Sequence, residues 1–424
     1  MTAEMLYGYP VSVFQLTSIV VCLAAAFGLV SHRFLRLPAT IGTMVLSLVS
    51  ALALIVTGKM VPSLHGFAAA MFERIDFHDL VLHCLLAFLL FAGALHLDLD
   101  ELKRQKAAVF LLSTVGTVTS AALVAALLWV ILRAVDLPAS AMSCMIFGAL
   151  ISPTDPIAVL EMLRRVGAPA EIQTLLGGES LFNDGVGAVL FLALLATPDS
   201  RAVPSLGSFT SLFLLEAGGG IVLGLVLGLI VFRLLRMVNS YRIEVFLTLA
   251  LAMGGYALAD ALHVSAPLEA VMAGLVVNSR SRFHKMSEET RENLDKFWGL
   301  LDDMLNVILF FLLGFALIVV DLSGRVIVAG LLAIPAVLVV RAVVVWALMY
   351  PQRTTVPGLH RTGIVMTWGG LRGALSIALV LALAATPASR PLLPITYIVV
   401  VFSVLVQGLT MVPLLRRLGF GNAA

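Results

Sequence analysis

Long apolar segments separated by short polar breaks run along the whole chain. Most of these segments are close to the ~20 residues that an α-helix needs to cross the hydrocarbon core of a bilayer. The pattern predicts an all-α polytopic membrane protein with about 13 transmembrane helices. The predicted spans cover residues 11–30, 38–57, 79–97, 107–132, 139–160, 178–197, 210–232, 244–259, 265–279, 302–320, 326–349, 362–385 and 393–415.

The composition agrees with this pattern. The 424 residues are 60% hydrophobic and 12% charged, and the mean hydropathy is +1.06, whereas a soluble domain carries roughly 25% charged residues. A net charge of +2 is too small to indicate a nucleic-acid partner. The three cysteines fall in apolar runs, which favours packing over metal binding. We therefore expect one membrane unit over residues 1–424, with the lipid bilayer as its partner and without a cofactor or a soluble regulatory domain.

The basic residues of the loops predict the orientation of the chain. The odd-numbered loops and the C-terminal end hold 19 Lys and Arg, and the opposite side holds 6. Because cytoplasmic loops are enriched in Lys and Arg, the N-terminus is expected outside and the C-terminus in the cytoplasm. The first span has no basic residue before it, which favours a retained span over a signal peptide. A short interfacial helix is expected within 58–76, and a cytoplasmic amphipathic helix over 280–296.

Ionisable residues inside a bilayer are costly and are usually functional. Five of them lie well inside predicted spans, namely Asp155, Glu179, Asp184, Arg341 and Arg372. Six more lie nearer to span ends and are interpreted as helix-end or loop charges: Glu216, Glu244, Asp260, Glu269, Asp302 and Asp303.

The first candidate site is the stretch Ile151-Ser-Pro-Thr-Asp-Pro156 in the middle of a span. Each proline removes a backbone donor and clashes with the preceding turn, so the helix should break around Thr154 and Asp155. Transporters bind ions at such breaks, where freed carbonyls and helix ends face a cavity. The alternative is a simple proline kink with a hydrogen-bonded threonine.

The second candidate site is Gly178-Glu-Ser-Leu-Phe-Asn-Asp-Gly185, at the start of an apolar span. Ser180 and Asp184 are four residues apart and share a helix face, with Asn183 beside them. These polar groups must point into a protein cavity, and oxygen ligands of this kind suit a hard cation such as sodium. The alternative is a polar network between helices that only fixes their packing.

The third candidate site is Thr367-Trp-Gly-Gly-Leu-Arg-Gly-Ala374, which predicts a second irregular helix. Arg372 needs a partner, and Glu179 is the candidate, because the two aspartates are better used on an ion. The alternative is that Arg372 bonds only to backbone carbonyls. Arg341 is expected to pair structurally or to snorkel. Interrupted helices in both halves of a chain indicate an inverted-repeat transporter.

The motifs Thr154-Asp155, Glu179-Ser-Leu-Phe-Asn-Asp-Gly185 and Gly370-Leu-Arg-Gly373 resemble the signatures of the NhaP/NHE-type sodium/proton antiporters, the monovalent cation:proton antiporter family 1. The resemblance extends over nearly the whole chain. It implies a homodimer in a bacterial inner membrane and an inverted-repeat fold with broken, crossing helices. It also implies a core domain, approximately 79–197 and 302–415, that moves like an elevator against a dimerisation domain, approximately 11–57 and 210–279.

The resemblance also implies roles for single residues. Asp155, Asp184, Thr154 and Ser180 would bind the ion, and the Glu179–Arg372 ion pair would support the site. Asn183 would shape it. Many relatives carry an acidic residue in the third span, where the matching position in this chain is Ala92, so the ion shell is expected to lack one carboxylate.

The mechanism expected from these residues is competition between sodium and a proton for Asp184. Burial favours the protonated carboxyl, and a bound cation favours the ionised one. With Asp155 ionised throughout, one sodium or one proton leaves the same charge on the site. This charge balance predicts electroneutral one-for-one exchange of Na⁺, with Li⁺ as a further candidate, for H⁺. A K⁺/H⁺ or broad monovalent-cation antiporter is the alternative, followed by a cation channel and an intramembrane aspartyl protease. No enzymatic activity is expected.

Overall fold

The computed structural model describes residues 13–35, 37–58, 80–138, 140–195, 206–238, 240–283, 288–352, 358–383 and 389–420. Within these ranges the chain forms helices and no β-strand. One antiparallel bridge joins Asp155 to Leu371, between two non-helical segments. The predicted all-α class is confirmed.

Seventeen α-helices are named in chain order over the described residues. They are α1 (Val13–Val30), α2 (Ala39–Gly58), α3 (Leu86–His96), α4 (Leu99–Leu111), α5 (Thr117–Ala134), α6 (Ala141–Ile151), α7 (Ile157–Arg165), α8 (Ala170–Leu195), α9 (Leu206–Leu235), α10 (Tyr241–Ala261), α11 (Ala266–Phe283), α12 (Glu288–Phe315), α13 (Gly324–Met349), α14 (Leu359–Trp368), α15 (Ala374–Leu381), α16 (Leu392–Phe402) and α17 (Gly408–Arg417).

Nine helical stretches in the described part of the chain are long and apolar enough to cross a membrane. Some of them join two of the named helices through a widened π-type turn, as α4 and α5 do across Leu112–Gly116. Three shorter apolar helices lie over Leu86–His96, Ala141–Ile151 and Ala266–Ser279. The chain is therefore a multi-pass membrane protein, and the count of thirteen spans stays a prediction.

The charged segment near residue 290 differs from its prediction. Residues 280–296 were expected to hold a separate amphipathic helix. Instead, α11 continues to Phe283, and α12 begins at Glu288 and runs unbroken to Phe315. Residues 288–296 form the first turns of α12, because Glu, Arg and Lys are good helix formers and allow the helix to begin before its apolar part. The interfacial helix expected within 58–76 lies outside the described residues.

Two helices that were predicted for the core pack mainly against helices predicted for dimerisation. α3 packs most extensively against α11, and α12 packs most extensively against α2. Small residues allow the close approach: a Cβ on Gly274 would meet the backbone of Phe91, and one on Gly314 would meet the backbone of Met44. The division of the helices into a core and a dimerisation domain stays a prediction.

The remaining helices place two interrupted elements side by side. The element α6–α7 contacts α5, α8 and α15, and the element α14–α15 contacts α13 and α16. Residues 152–156 interrupt the first element and residues 369–373 the second. Both predicted breaks are therefore present, and the two breaks meet at the bridge between Asp155 and Leu371.

Candidate ion-binding site

The first break leaves backbone oxygens without helical partners. In an α-helix the carbonyl of Ser152 would accept from residue 156, but Pro156 has no N–H. The carbonyl of Pro153 would accept from the N–H of Ile157, which instead donates to the Asp155 carboxylate at 3.0 Å. The sequence Pro-Thr-Asp-Pro thus frees two carbonyls at the end of α6 and places Asp155 at the beginning of α7.

Arg372 satisfies these two freed carbonyls. Its Nη1 donates to the oxygen of Ser152 with a short contact and to the oxygen of Pro153 at 2.9 Å. Its backbone N–H donates to the hydroxyl of Ser403 at 2.9 Å. The side chain is 3% exposed. A fixed positive charge at the C-terminal end of α6 complements the partial negative charge of that helix end.

Glu179 is paired with Arg341. The guanidinium contacts both carboxylate oxygens, with a short bond from Nη1 to Oε1 and 2.7 Å from Nη2 to Oε2. Arg341 also donates from Nε and Nη2 to the carbonyl of Met366, at 3.2 Å and 3.0 Å. Glu179 is 1% exposed and Arg341 is 5% exposed. The pair is therefore buried and bidentate, and it ties α8 to α13 and to the last turn of α14.

The expected Glu179–Arg372 ion pair is wrong, and the alternative of bonding to backbone carbonyls is correct for Arg372. The reason is local. Arg372 lies in the non-helical segment that crosses the first break, so freed carbonyls are its nearest acceptors. Arg341 lies inside α13, and it reaches Glu179 across the helix interface. Arg341 thus pairs structurally, which was one of its two expected roles.

Thr154, Ser180 and Asn183 form a buried hydrogen-bonded group. The hydroxyls of Thr154 and Ser180 lie 2.8 Å apart, and the amide of Asn183 donates to the Thr154 hydroxyl at 2.9 Å. Each of the three is at most 1% exposed. This group joins the first break to α8 and fixes the positions of the neighbouring residues, Asp155 and Asp184.

Asp155 and Asp184 line one cavity of about 460 Å³. The helix α8 presents Asp184 one turn after Ser180, and the break in α6–α7 presents Asp155. Both side chains are half-buried. Among the described residues no other residue donates a hydrogen bond to the carboxylate of Asp184 or forms an ion pair with it, so its oxygens are available to a ligand in the cavity.

Asp155 lies where the N-terminal ends of α7 and α15 approach each other. Its carboxylate accepts from Ile157 at the beginning of α7. It also lies so close to Gly373, which precedes α15, that a Cβ on this glycine would overlap the carboxylate. The partial positive charge at a helix N-terminus favours an ionised carboxylate. The two aspartates therefore differ: a helix N-terminus donates to Asp155, whereas Asp184 lines the cavity without a bond from another described residue.

The cavity also reaches polar residues of α2 and α12. Asp302 and Asn306 of α12 and Thr40 of α2 line it, although Asp302 was interpreted as a helix-end charge. Its position four residues before Asn306 on one helix face was the available signal. Ala92 is buried in a cluster with Phe91 and Trp298 and does not line the cavity, whereas the next residue, Gly93, does.

A multi-pass fold in which two broken helices cross beside buried carboxylates defines an ion-coupled secondary transporter. Comparison with known proteins gives the family. The model of the transmembrane sodium/hydrogen exchanger family matches residues 19–417, and the chain belongs to this family.

Several known proteins are similar to the chain. The Na⁺/H⁺ antiporter NhaP of Pseudomonas aeruginosa is 41% identical in an alignment 423 residues long that covers 96% of this chain and 97% of that protein. The Na⁺/H⁺ antiporter NhaH of Halobacillus dabanensis is 35% identical and covers 81% of this chain and 84% of its own length. The structure of the sodium proton antiporter MjNhaP1 from Methanocaldococcus jannaschii matches with a TM-score of 0.73 at 21% identity, over 95% of this chain and 97% of that one. The last match shows a shared fold.

Proposed function

We propose that the chain is a secondary antiporter that exchanges Na⁺ for H⁺ across a bacterial inner membrane. The observation that carries this proposal is that Asp155 and Asp184 line one cavity, and that Asp155 accepts a hydrogen bond from Ile157 at the N-terminus of α7. A half-buried carboxylate without an ion-pair partner can be neutralised by a proton or by a bound cation. Asp184 is the group on which the two compete, and it carries the proton.

The ligand set fits a hard monovalent cation. Asp155 and Asp184 supply carboxylate oxygens in the cavity. Thr154 and Ser180 do not line the cavity, and their hydroxyls bond to each other next to the two aspartates; they would turn towards the ion to supply two further oxygens. Oxygen ligands of this kind suit Na⁺, and Li⁺ as its smaller congener. Asn183 positions the Thr154 hydroxyl. Arg372 and the Glu179–Arg341 pair hold the two broken helices in register around the ligands.

Charge balance supports one-for-one exchange. In this scheme Asp155, whose carboxylate accepts from Ile157 at the beginning of α7, stays ionised, and either one Na⁺ or one H⁺ neutralises Asp184. The loaded site then carries the same net charge in both directions. A second proton per cycle would need another titrating base in the site. Elevator-type movement of a core domain against a dimerisation domain would expose the cavity to each side in turn, and the homodimer would anchor the second domain.

The orientation of the proposed antiporter follows from the loop charges. The N-terminus would be periplasmic and the C-terminus cytoplasmic, with the 19 basic residues on the cytoplasmic side. The cavity would then open to the cytoplasm, because the exposed Arg164 and Arg165 at the end of α7 line its mouth.

The test is an exchange assay in everted membrane vesicles that lack other antiporters. After respiration acidifies the lumen, addition of Na⁺ or Li⁺ should release protons and restore the fluorescence of a pH-sensitive dye, and choline should not. A response to K⁺ alone would replace Na⁺ with K⁺ as the substrate. Absence of proton release with every cation would reject the antiporter, and leave a channel or a protease.

The stoichiometry needs a separate measurement in liposomes with an imposed membrane potential. One-for-one exchange moves no net charge, so the sodium gradient reached at equilibrium should not depend on voltage. A second proton per cycle would couple the gradient to the potential by about 2.3 kcal/mol for each 100 mV. A shift of the gradient with voltage would therefore contradict electroneutral exchange.

Substitution of Gly373 tests the close approach between Asp155 and α15. The backbone of Gly373 is extended and accepts any residue, so only space limits this position. Gly373→Ala should lower the exchange rate by about tenfold or more, since an added methyl group in a packed site costs ~1–3 kcal/mol. The matched control is Gly254→Ala in α10, where a Cβ would meet nothing. Equal rates for the two variants would show that the carboxylate can move aside without loss.

A further inference from the structure

Three polar side chains on α2 and α12 form a second group in the same cavity. The amide nitrogen of Asn306 donates to the Asp302 carboxylate at 3.1 Å. The side-chain oxygen of Asn306 and the hydroxyl of Thr40 are buried and have no hydrogen-bond partner among the described residues. Asn306 is 2% exposed and Thr40 is 6% exposed. All three residues line the cavity that also contains Asp155 and Asp184.

Two unpaired buried oxygens in one cavity point to a ligand that supplies positive charge. Buried polar atoms in native proteins are nearly always hydrogen-bonded, and an unpaired one costs about 1–3 kcal/mol. In the part of the chain that the structure describes, no basic side chain forms an ion pair with Asp302. Asp303, Arg164 and Asp155 act on this carboxylate through their charges only. The two acidic neighbours oppose a further negative charge, and a bound cation would relieve that repulsion.

The chemistry of the ligand follows from the donor set. One carboxylate oxygen, one amide oxygen and one hydroxyl oxygen are hard ligands, and their net charge is −1. A monovalent cation balances this charge, whereas a divalent ion would need a further carboxylate. The open side of the cavity allows the ion to keep part of its water. Such a site attracts sodium and binds it weakly, so the ion can leave it for the site at Asp155 and Asp184.

We propose that Asp302, Asn306 and Thr40 form an entry site for the transported sodium ion, separate from the site at Asp155 and Asp184. This inference rests on the proposed function. The three residues lie on α2 and α12, which pack against each other, whereas Asp155 lies in the break before α7 and Asp184 lies on α8. The entry site therefore belongs to a different helix pair, and the ion passes from one to the other when the cavity is open.

The experiment compares the sodium dependence of exchange in two variants of adjacent residues. Asp302→Asn removes the charge of the entry site, and Asp303→Asn removes an equal charge from an exposed residue at the same mouth. The apparent KM for Na⁺ of Asp302→Asn should rise by about tenfold, because ion affinity falls when a charged ligand is lost. Its rate at saturating Na⁺ should stay close to that of the unmodified protein. Asp303→Asn should change the KM by less than about twofold, as a screened surface charge does.

A second variant tests the entry site without changing the charge of the protein. Thr40→Val retains the shape of the side chain and removes only the hydroxyl oxygen. Its KM for Na⁺ should rise by about threefold to fivefold, as expected for loss of one neutral ligand. The melting temperature in detergent without Na⁺ serves as the folding control.

The outcomes separate this inference from the proposed function. An unchanged KM in both Asp302→Asn and Thr40→Val would overturn the entry site, while normal exchange at saturating Na⁺ would leave the antiporter intact. Equal KM increases in Asp302→Asn and Asp303→Asn would also overturn it, since general attraction by surface charge would then explain both. Loss of exchange by Asp302→Asn at saturating Na⁺, in a protein with an unchanged melting temperature, would move Asp302 from entry to the transport site. Absence of exchange in the unmodified protein would reject the proposed function itself.

Discussion

Asp184→Asn is expected to abolish exchange while the protein remains folded. The substitution keeps the size of the side chain and removes the group that alternates between a proton and a cation. Because no other described residue donates a hydrogen bond to the Asp184 carboxylate, the substitution leaves no partner side chain unsatisfied, and the stability should change little. In everted vesicles, Na⁺-driven proton release should fall to the level of vesicles without the protein. Size-exclusion chromatography should show the same elution as for the unmodified chain.

The control for this prediction is Asp321→Asn, an equal change at an exposed aspartate outside the cavity. Its exchange rate should match that of the unmodified protein. Binding of radiolabelled sodium gives a second measurement that does not need transport. Acid should displace the ion from the unmodified protein, because proton and sodium compete for one carboxylate. Sodium that stays bound at saturating acid, or normal exchange by Asp184→Asn, would refute the competition.

The two helix breaks could be predicted because their causes are local. Pro153 and Pro156 remove backbone donors wherever the chain folds, and Gly369 to Gly373 cannot maintain a helix well. The polar face of Ser180 and Asp184 follows from a spacing of four residues. These features place the candidate site at the crossing of two interrupted helices before any tertiary contact is known. Comparison with known structures bears out the same fold.

The partners of the buried charges could not be predicted, because they depend on where helices cross. Two arginines inside predicted spans, Arg341 and Arg372, could pair with Glu179. The spacing along the chain does not distinguish between them. Only the tertiary structure shows that Arg372 is occupied by carbonyls of the first break. The prediction that Asp302 is a helix-end charge was wrong for a related reason. It used the distance of Asp302 from the end of its own span, whereas its access to the cavity depends on the neighbouring helices.

Removal of either member of the Glu179–Arg341 pair is expected to destabilise the protein strongly. The remaining charge would be buried without its bidentate partner, which costs about 3–5 kcal/mol. Glu179→Gln and Arg341→Gln should therefore each lower the free energy of unfolding, measured by titration with a denaturing detergent in mixed micelles. The double variant should lose little more than either single variant. The coupling energy of this pair should reach about 2 kcal/mol or more, as found for residues in direct contact.

The matched cycle uses Arg372→Gln in place of Arg341→Gln. Arg372 shares no hydrogen bond with Glu179 and bonds to the carbonyls of Ser152 and Pro153. Its loss should destabilise the protein by leaving those carbonyls unpaired, but its coupling to Glu179 should be about 1 kcal/mol or less. The two arginines thus differ in their coupling and not in their individual cost. If Glu179 were coupled more strongly to Arg372 than to Arg341, the pairing in this structure would be wrong, and the ion pair implied by the family resemblance would be restored.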